Sequence, residues 1–136
     1  MGKLNLEVVT PAGIVANVEA DIVVAPGTEG EFGVLPGHIN FLSGIVPGEL
    51  RYTNDDKTEY MAISSGFAEV SNDKVSVLVD SGEVAHEIDI ERAQSALGRA
   101  KDRLAKKRET DDIDFARAEA ALQRAISRVK VAKKIA

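Results

Sequence analysis

The sequence predicts an all-β sandwich over residues 1–84 followed by an α-helical antiparallel hairpin over residues 85–136, a two-domain β + α chain. Three observations carry this. Short β-favouring runs separated by Gly, Pro, Asn and Asp recur to about residue 80, with no helical pattern between them. From residue 88 the apolar period becomes that of a helix buried on one side. Charge divides at the same place: residues 1–86 hold 4 Lys and Arg against 13 Asp and Glu, while residues 87–136 hold 13 against 9, so the two parts should face different partners.

In chain order, residues 4–10 (LNLEVVT) form the first run and end at Pro11-Ala12-Gly13. Residues 14–25 form the second and lead to a turn at Pro26-Gly27. Residues 41–46, 49–53, 59–63, 67–70 and 74–79 follow, divided by Pro47-Gly48, Asn54-Asp55-Asp56, Ser64-Ser65-Gly66 and Asn72-Asp73. Turns this frequent imply antiparallel pairing. In the last run Val75, Val77 and Val79 alternate with Ser76, Leu78 and Asp80, giving one apolar face, one mixed face and a partly open edge. Farther on, Ala93, Leu97, Ala100 and Leu104 recur at helical spacing, and Ala118, Leu122, Ala125, Val129 and Ala132 repeat it after the polar break at residues 106–112. Two such helices fold back on each other. Their Ala-rich stripes bury little area per residue, so the hairpin should open more easily than the sandwich unfolds.

Composition excludes several chemistries. The 136 residues include no Cys, and the two His, His38 and His86, lie far apart, so thiolate and metal chemistry have no foothold. No apolar run reaches the roughly 18 residues a bilayer span needs, and the N-terminus lacks a signal-peptide pattern, so a soluble chain in the cytoplasm is expected. No acid, base and nucleophile set can be assembled; the chain is read as non-catalytic.

Both helix starts read Ile-Asp-x-x-Arg-Ala, at 88–93 and at 113–118. Asp at this position caps the free N–H groups of the first turn, and the preceding Ile reaches the Ala five residues on. Beside the apolar stripes, Arg92, Arg99 and Arg103 line the first helix, and Arg124 and Arg128 line the second. Antiparallel folding brings Arg92 and Arg99 towards Arg124 and Arg128. Converging guanidiniums on a scaffold without many carboxylate partners suit a polyphosphate, although exposed arginines on a helix are more often simply a solvated face.

The segment Gly30-Glu31-Phe32-Gly33-Val34-Leu35-Pro36-Gly37-His38, with Pro47-Gly48 and Ser65-Gly66-Phe67, resembles the epsilon subunit of bacterial F-type ATP synthases, called delta in mitochondria. The likeness spans the whole chain. It implies a rotor subunit of the central stalk, peripheral on the cytoplasmic side of the bacterial plasma membrane, bound to the gamma subunit and resting on the c-ring. It also implies c-ring contact through Glu31 and His38, held outward by a loop whose glycines permit special backbone angles. On residues alone, the favoured reading of that segment is a tight Gly-Pro hairpin with two solvated polar groups; it is the resemblance that favours ring contact.

Some epsilon subunits bind ATP through Ile/Leu-Asp-x-x-Arg-Ala, matched here by Ile88, Asp89, Arg92 and Ala93; Arg99, Arg124, Arg128 and Glu83 match further positions of that pattern. The resemblance therefore implies ATP as a regulatory ligand, with the arginines on phosphates and Glu83 and Asp89 on the base or ribose. With no Walker-type loop, nucleotide would be sensed and not hydrolysed. It further implies that the hairpin can extend along the alpha and beta catalytic subunits, where Arg117, Arg124, Arg128 and Lys130 pair with carboxylates and inhibit hydrolysis. The rival reading is a nucleic-acid-binding hairpin, supported by Lys101, Arg103, Lys106, Lys107 and Arg108. The acidic β-part and the scarcity of aromatics oppose it, and no nucleic-acid partner is expected.

Overall fold

The computed structural model describes residues 2–107 and 112–134, without the side chains of 106, 107 and 112–114. Among the described residues there are ten strands: β1 (Leu4–Thr10), β2 (Gly13–Ala20), β3 (Ile22–Gly27), β4 (Gly30–Val34), β5 (Phe41–Ile45), β6 (Gly48–Asn54), β7 (Lys57–Ile63), β8 (Gly66–Ser71), β9 (Lys74–Val79) and β10 (Gly82–Val84). They are followed by a 3-10 turn at Ala85–Glu87 and helices α1 (Ile90–Lys107) and α2 (Asp112–Lys133). Hydrogen bonding runs in the order β10-β7-β6-β3-β5-β8-β9-β1-β2, with β4 on β3. Rolled into a sandwich, the strands enclose Leu4, Leu6, Val8, Val23, Ala25, Val34, Leu50, Met61, Val70, Val75 and Val77.

The alternation of β1 decides which side goes in: Leu4, Leu6 and Val8 are buried while Asn5 is exposed. Two hairpin turns have both central residues left-handed, Asp55 and Asp56 at φ 49° and 70°, Asn72 and Asp73 at φ 50° and 62°. That is the geometry that follows the twist of two-residue hairpins, and Asn and Asp tolerate it best after Gly.

Several expectations need correction. The run at 14–25 is two strands, because the chain bends at Asp21 and passes from the edge strand β2 to β3 in the other layer. Asp21 holds that bend: its N–H donates to the Thr53 carbonyl at 2.7 Å, and its carboxylate accepts from the Asp55 N–H at 2.9 Å and lies 2.8 Å from Lys3 Nζ. Pro26-Gly27 is the end of β3, paired with Glu31 and Gly30. Gly27 is there for close approach, since a Cβ would meet the Gly30 carbonyl oxygen at 2.8 Å. Gly30–His38 is accordingly a strand followed by a short turn and not one loop. Pairing is not wholly antiparallel either, for β1 and β9 run parallel. Finally, β9 lies inside the sheet between β8 and β1, so what is open beside Leu78 is a face, not an edge.

A second apolar cluster joins the hairpin to the sandwich. Val129, Val131 and Ala132 of α2 pack with Ala62 of β7, with Ala85 and Ile88 of the connection and with Ala93 of α1. Ala100, Ala118 and Ala125 are buried on the helix stripes. The polar break between the helices lies largely outside the described residues.

The tightest backbone approach is at Gly66, where a Cβ would fall 1.9 Å from the Leu78 carbonyl oxygen and 2.8 Å from Val79 Cα. Neither atom can move without parting β8 from β9. Gly66→Ala is expected to lower stability by about 3 kcal/mol; denaturant unfolding checks this, and an unchanged midpoint would refute it.

Candidate functional site

One cavity of about 360 Å³ opens between hairpin and sandwich, lined on the helix side by Ala96, Arg99, Ala100, Arg103, Ala121, Arg124, Ala125 and Arg128. Ala62, Ile63, Ser64, Ser81 and Glu83 form the other wall. The small residues make the space, since alanines at 96, 100, 121 and 125 leave the helical seam hollow while arginines one turn away reach across it. The floor is rigid: the Ser64 N–H donates to the Ser81 carbonyl at 3.0 Å, and the Ser81 N–H donates to Ser64 Oγ at 2.7 Å.

Glu83 lies on β10 opposite Ala62 of β7, so it is part of the sheet and not of a free linker. Its carboxylate faces Arg128, with Nε 2.6 Å from Oε1 and Nη2 3.4 Å from Oε2. The Nε–H is not aimed along the short contact, which is ionic, and Nη2 donates the hydrogen bond. One of the few carboxylates near the arginines is therefore already paired to Arg128. With four arginines and one glutamate on the wall, the cavity still carries a formal surplus of positive charge.

Of the residues singled out for a nucleotide, Glu83, Arg99, Arg124 and Arg128 come together here. Ile88, Asp89, Arg92 and Ala93 do not line the cavity. Asp89 caps α1: its Oδ1 accepts from the Arg92 N–H at 3.1 Å, and its carbonyl accepts from the Ala93 N–H at 2.9 Å. Ile88 and Ala93 are buried in one cluster, as a staple requires, while the Arg92 side chain is exposed. Sequence reasoning had Arg103 in its basic line but not among the site residues. It missed Ser64 and Ser81, which no motif marks.

Glu31 and His38 are not side by side. Glu31 is the second residue of β4 and His38 follows its end, with the extended residues Phe32, Gly33 and Val34, at about 3.3 Å each, between Glu31 and Leu35. Glu31 is paired to Arg51 of β6, Oε1 to Nη2 at 3.0 Å and Oε2 to Nη1 at 3.1 Å. The His38 N–H closes a turn on the Leu35 carbonyl at 3.1 Å, and its ring stands edge-on to Phe41 at 5.9 Å. Gly37, at φ 84°, donates its N–H to Asp73 Oδ1 at 2.7 Å and so ties this turn to the β8–β9 hairpin.

The outer face of the sheet holds another feature. Register places Phe67 of β8 beside Leu78 of β9, Leu78 beside Val9 of β1, and Val9 beside Ile14 of β2. Phe67, Leu78 and Ile14 are 63%, 54% and 64% exposed, an apolar row across four strands. Leu78 on the mixed face of β9 was its only visible sign in the sequence.

Comparison with known proteins decides the family. Residues 3–85 match the family model described as ATP synthase, Delta/Epsilon chain, beta-sandwich domain, and residues 86–133 match the corresponding long alpha-helix domain. The chain belongs to the ATP synthase delta/epsilon family. It is 52% identical over 132 residues to the ATP synthase epsilon chain of Geotalea daltonii, covering 97% of this chain and 95% of that one. The epsilon chain of Carboxydothermus hydrogenoformans is 53% identical over 105 residues, 77% of this chain and 78% of its own length. In fold, the chain is similar to one in the mitochondrial ATP synthase of Euglena gracilis, with a TM-score of 0.80 at 24% identity over 98% of this chain and 82% of that chain. No helix among the described residues is long and apolar enough to cross a membrane.

The Glu31–Arg51 pair has a pH consequence. The hydrogen bonds from Arg51 hold the Glu31 carboxyl below the ordinary Glu range, partly opposed by burial. A carboxylate whose folded pKa is lowered adds stability above its unfolded pKa and loses it as pH falls through the folded value. Arg51→Gln should therefore make the acid limb of the stability curve shallower while leaving its shape near neutrality; thermal melts between about pH 3 and 7 measure it, and an identical acid limb would refute the linkage.

Proposed function

We propose that the chain is a non-catalytic central-stalk rotor subunit whose hairpin inhibits ATP hydrolysis in one position and is held in the other by ATP. The observation that carries the nucleotide reading is the convergence of Arg99, Arg124 and Arg128 with Glu83 on one cavity of about 360 Å³. That size lies within the range of small-molecule sites. Guanidiniums supply forked donors for phosphate oxygens, and the Glu83 carboxylate supplies an acceptor for ribose or base. Asp89 and Arg92 join through the helix turn that Asp89 caps, and Ile88 and Ala93 act by seating that turn.

Within the complex, we assign the apolar row Ile14, Phe67 and Leu78 to the gamma subunit, because a row this exposed is a docking surface in need of a partner. The flank carrying β4, with Glu31 at one end and His38 beyond the other, is assigned to the c-ring. Released from the sandwich, α2 carries Arg117, Arg124, Arg128 and Lys130 to carboxylates of the alpha and beta subunits. Arg124 and Arg128 serve in both positions, so ligand and brake compete for the same side chains. A ligand that binds only the folded hairpin shifts the equilibrium by its difference in affinity for the two states.

Calorimetry of the intact chain with ATP, ADP and GTP tests the site. Binding of ATP with at least tenfold loss in Arg99→Ala or Arg128→Ala is expected, since each removes a charge-assisted contact worth about 1.5–3 kcal/mol; undiminished affinity would place the site elsewhere. Truncation before residue 85 should raise ATP hydrolysis by the assembled complex, and an unchanged rate would exclude the brake.

A further inference from the structure

Four charged groups on three elements form a chain that the nucleotide cavity does not use. Arg51 of β6 binds both oxygens of Glu31 on β4 and also donates from Nη1 to Glu49 Oε2 at 3.3 Å. The other oxygen of Glu49 lies 3.5 Å from Nζ of Lys134, at the C-terminal end of α2. Signs alternate along the chain: Glu31, Arg51, Glu49, Lys134. Lys134 is steadied besides by the Tyr60 ring, 5.3 Å from its Nζ.

Glu49 is the crowded member. It is the sole carboxylate among the residues lining a hollow of about 490 Å³ between α2 and the β5–β6 turn, and the same hollow is lined by Lys130, Lys133 and Lys134. Two cations on different bodies therefore draw on one carboxylate, Arg51 from within the sandwich and Lys134 from the helix. How much of Glu49 is left for Lys134 depends on how far Arg51 is neutralised by Glu31.

We infer that Glu31, Arg51, Glu49 and Lys134 form a charge relay, through which engagement of Glu31 by a cationic group on a partner loosens the seat of α2 on the sandwich. Once the partner takes Glu31, Arg51 turns its full charge on Glu49, and the Arg51, Glu49 and Lys134 group carries a net positive charge that disfavours the docked lysine. Lys134 also loses its direct attraction to Glu31, a contribution already felt in the lowered pKa of that carboxyl. The route from β4 to the helix end needs no backbone change. In naming the c-ring as the partner, the inference rests on the assignment of the β4 flank made above; the relay itself is a property of the free chain.

Hydrogen exchange of the intact, isolated chain tests it, read at the amides of residues 126–133 with β1 and β9 as internal controls. Glu31→Gln should speed exchange at the helix end about twofold, the scale of a partly exposed ion pair, without changing the controls. Arg51→Gln should slow it, because Glu49 is then left to the lysines. In a Lys134→Gln background, Glu31→Gln should have no effect. The relay is overturned if Glu31→Gln leaves the helix end unchanged, if its effect persists without Lys134, or if Arg51→Gln speeds exchange as Glu31→Gln does, which would mark a loosened sandwich. Retention of the c-ring by the Glu31→Gln subunit separates the two readings. Lost docking with unchanged exchange keeps the ring contact and sinks the relay, whereas faster exchange with full docking keeps the relay and removes the ring as its trigger.

Discussion

The seating of α2 on strand β7 through small side chains sets the terms for everything else the hairpin does. Ala62, Ala85, Ala93 and Ala132 let the backbones of helix, strand and connection come close, with Ile88, Val129 and Val131 supplying the larger buried side chains. Close approach brings Arg128 to Glu83 and Lys134 to Glu49, two ion pairs that bridge helix and sandwich. Larger residues in the seam would bury more area, at roughly 25 cal/mol per Å², but would push those charges apart and fill the cavity behind them. Weak apolar adhesion and a hollow, charged interface are thus one choice of residue seen in two ways.

The sandwich is built on the opposite principle. Its core is mostly Leu, Val, Ile and Met, with Ala20, Ala25 and Ala68 but no charged residue among those described, and its turns are fixed by residues that accept special backbone angles, Asp55-Asp56 and Asn72-Asp73 among them. Such a body can carry partners on its outer face without deforming, since packed interiors transmit strain instead of absorbing it. A firmly packed sandwich beside a thinly packed helical seam suits the two-position hairpin proposed above.

The change of period at residue 88, the Asn and Asp turns and the capping role of Asp89 were legible because each is a local rule, satisfied within a few residues. What escaped depends on distance. The parallel pairing of β1 with β9 joins the two ends of the sandwich, and no turn between them constrains its direction. Pro26 and Gly27 read as a turn because composition cannot distinguish a glycine needed for left-handed φ from one needed for close approach. The pairing of Arg128 with Glu83 spans 45 residues, so the arginines looked freer of carboxylates than they are. Helical spacing did bring Arg99, Arg124 and Arg128 to one cavity, whereas Arg92, counted in the same line, lies about 10 Å farther back along the axis of α1 and is exposed outside that cavity. Legibility followed the range of the interaction.

Sharing a carboxylate between two cations is weaker than pairing each with its own, and that weakness is what makes a contact exchangeable. Arg128 is matched to Glu83 through two guanidinium nitrogens, yet both side chains are about one-third exposed, so water screens the pair and, in the function proposed above, a phosphate would replace the carboxylate at little net cost. Glu49 divides itself between Arg51 and Lys134 in the same solvent-screened way. Had either acid been buried with a dedicated partner, breaking the contact would leave an uncompensated charge costing about 3–5 kcal/mol, more than differential ligand binding commonly supplies. Partial exposure keeps each step within reach of a ligand or a docking partner, and the alanine seam adds only a modest further resistance.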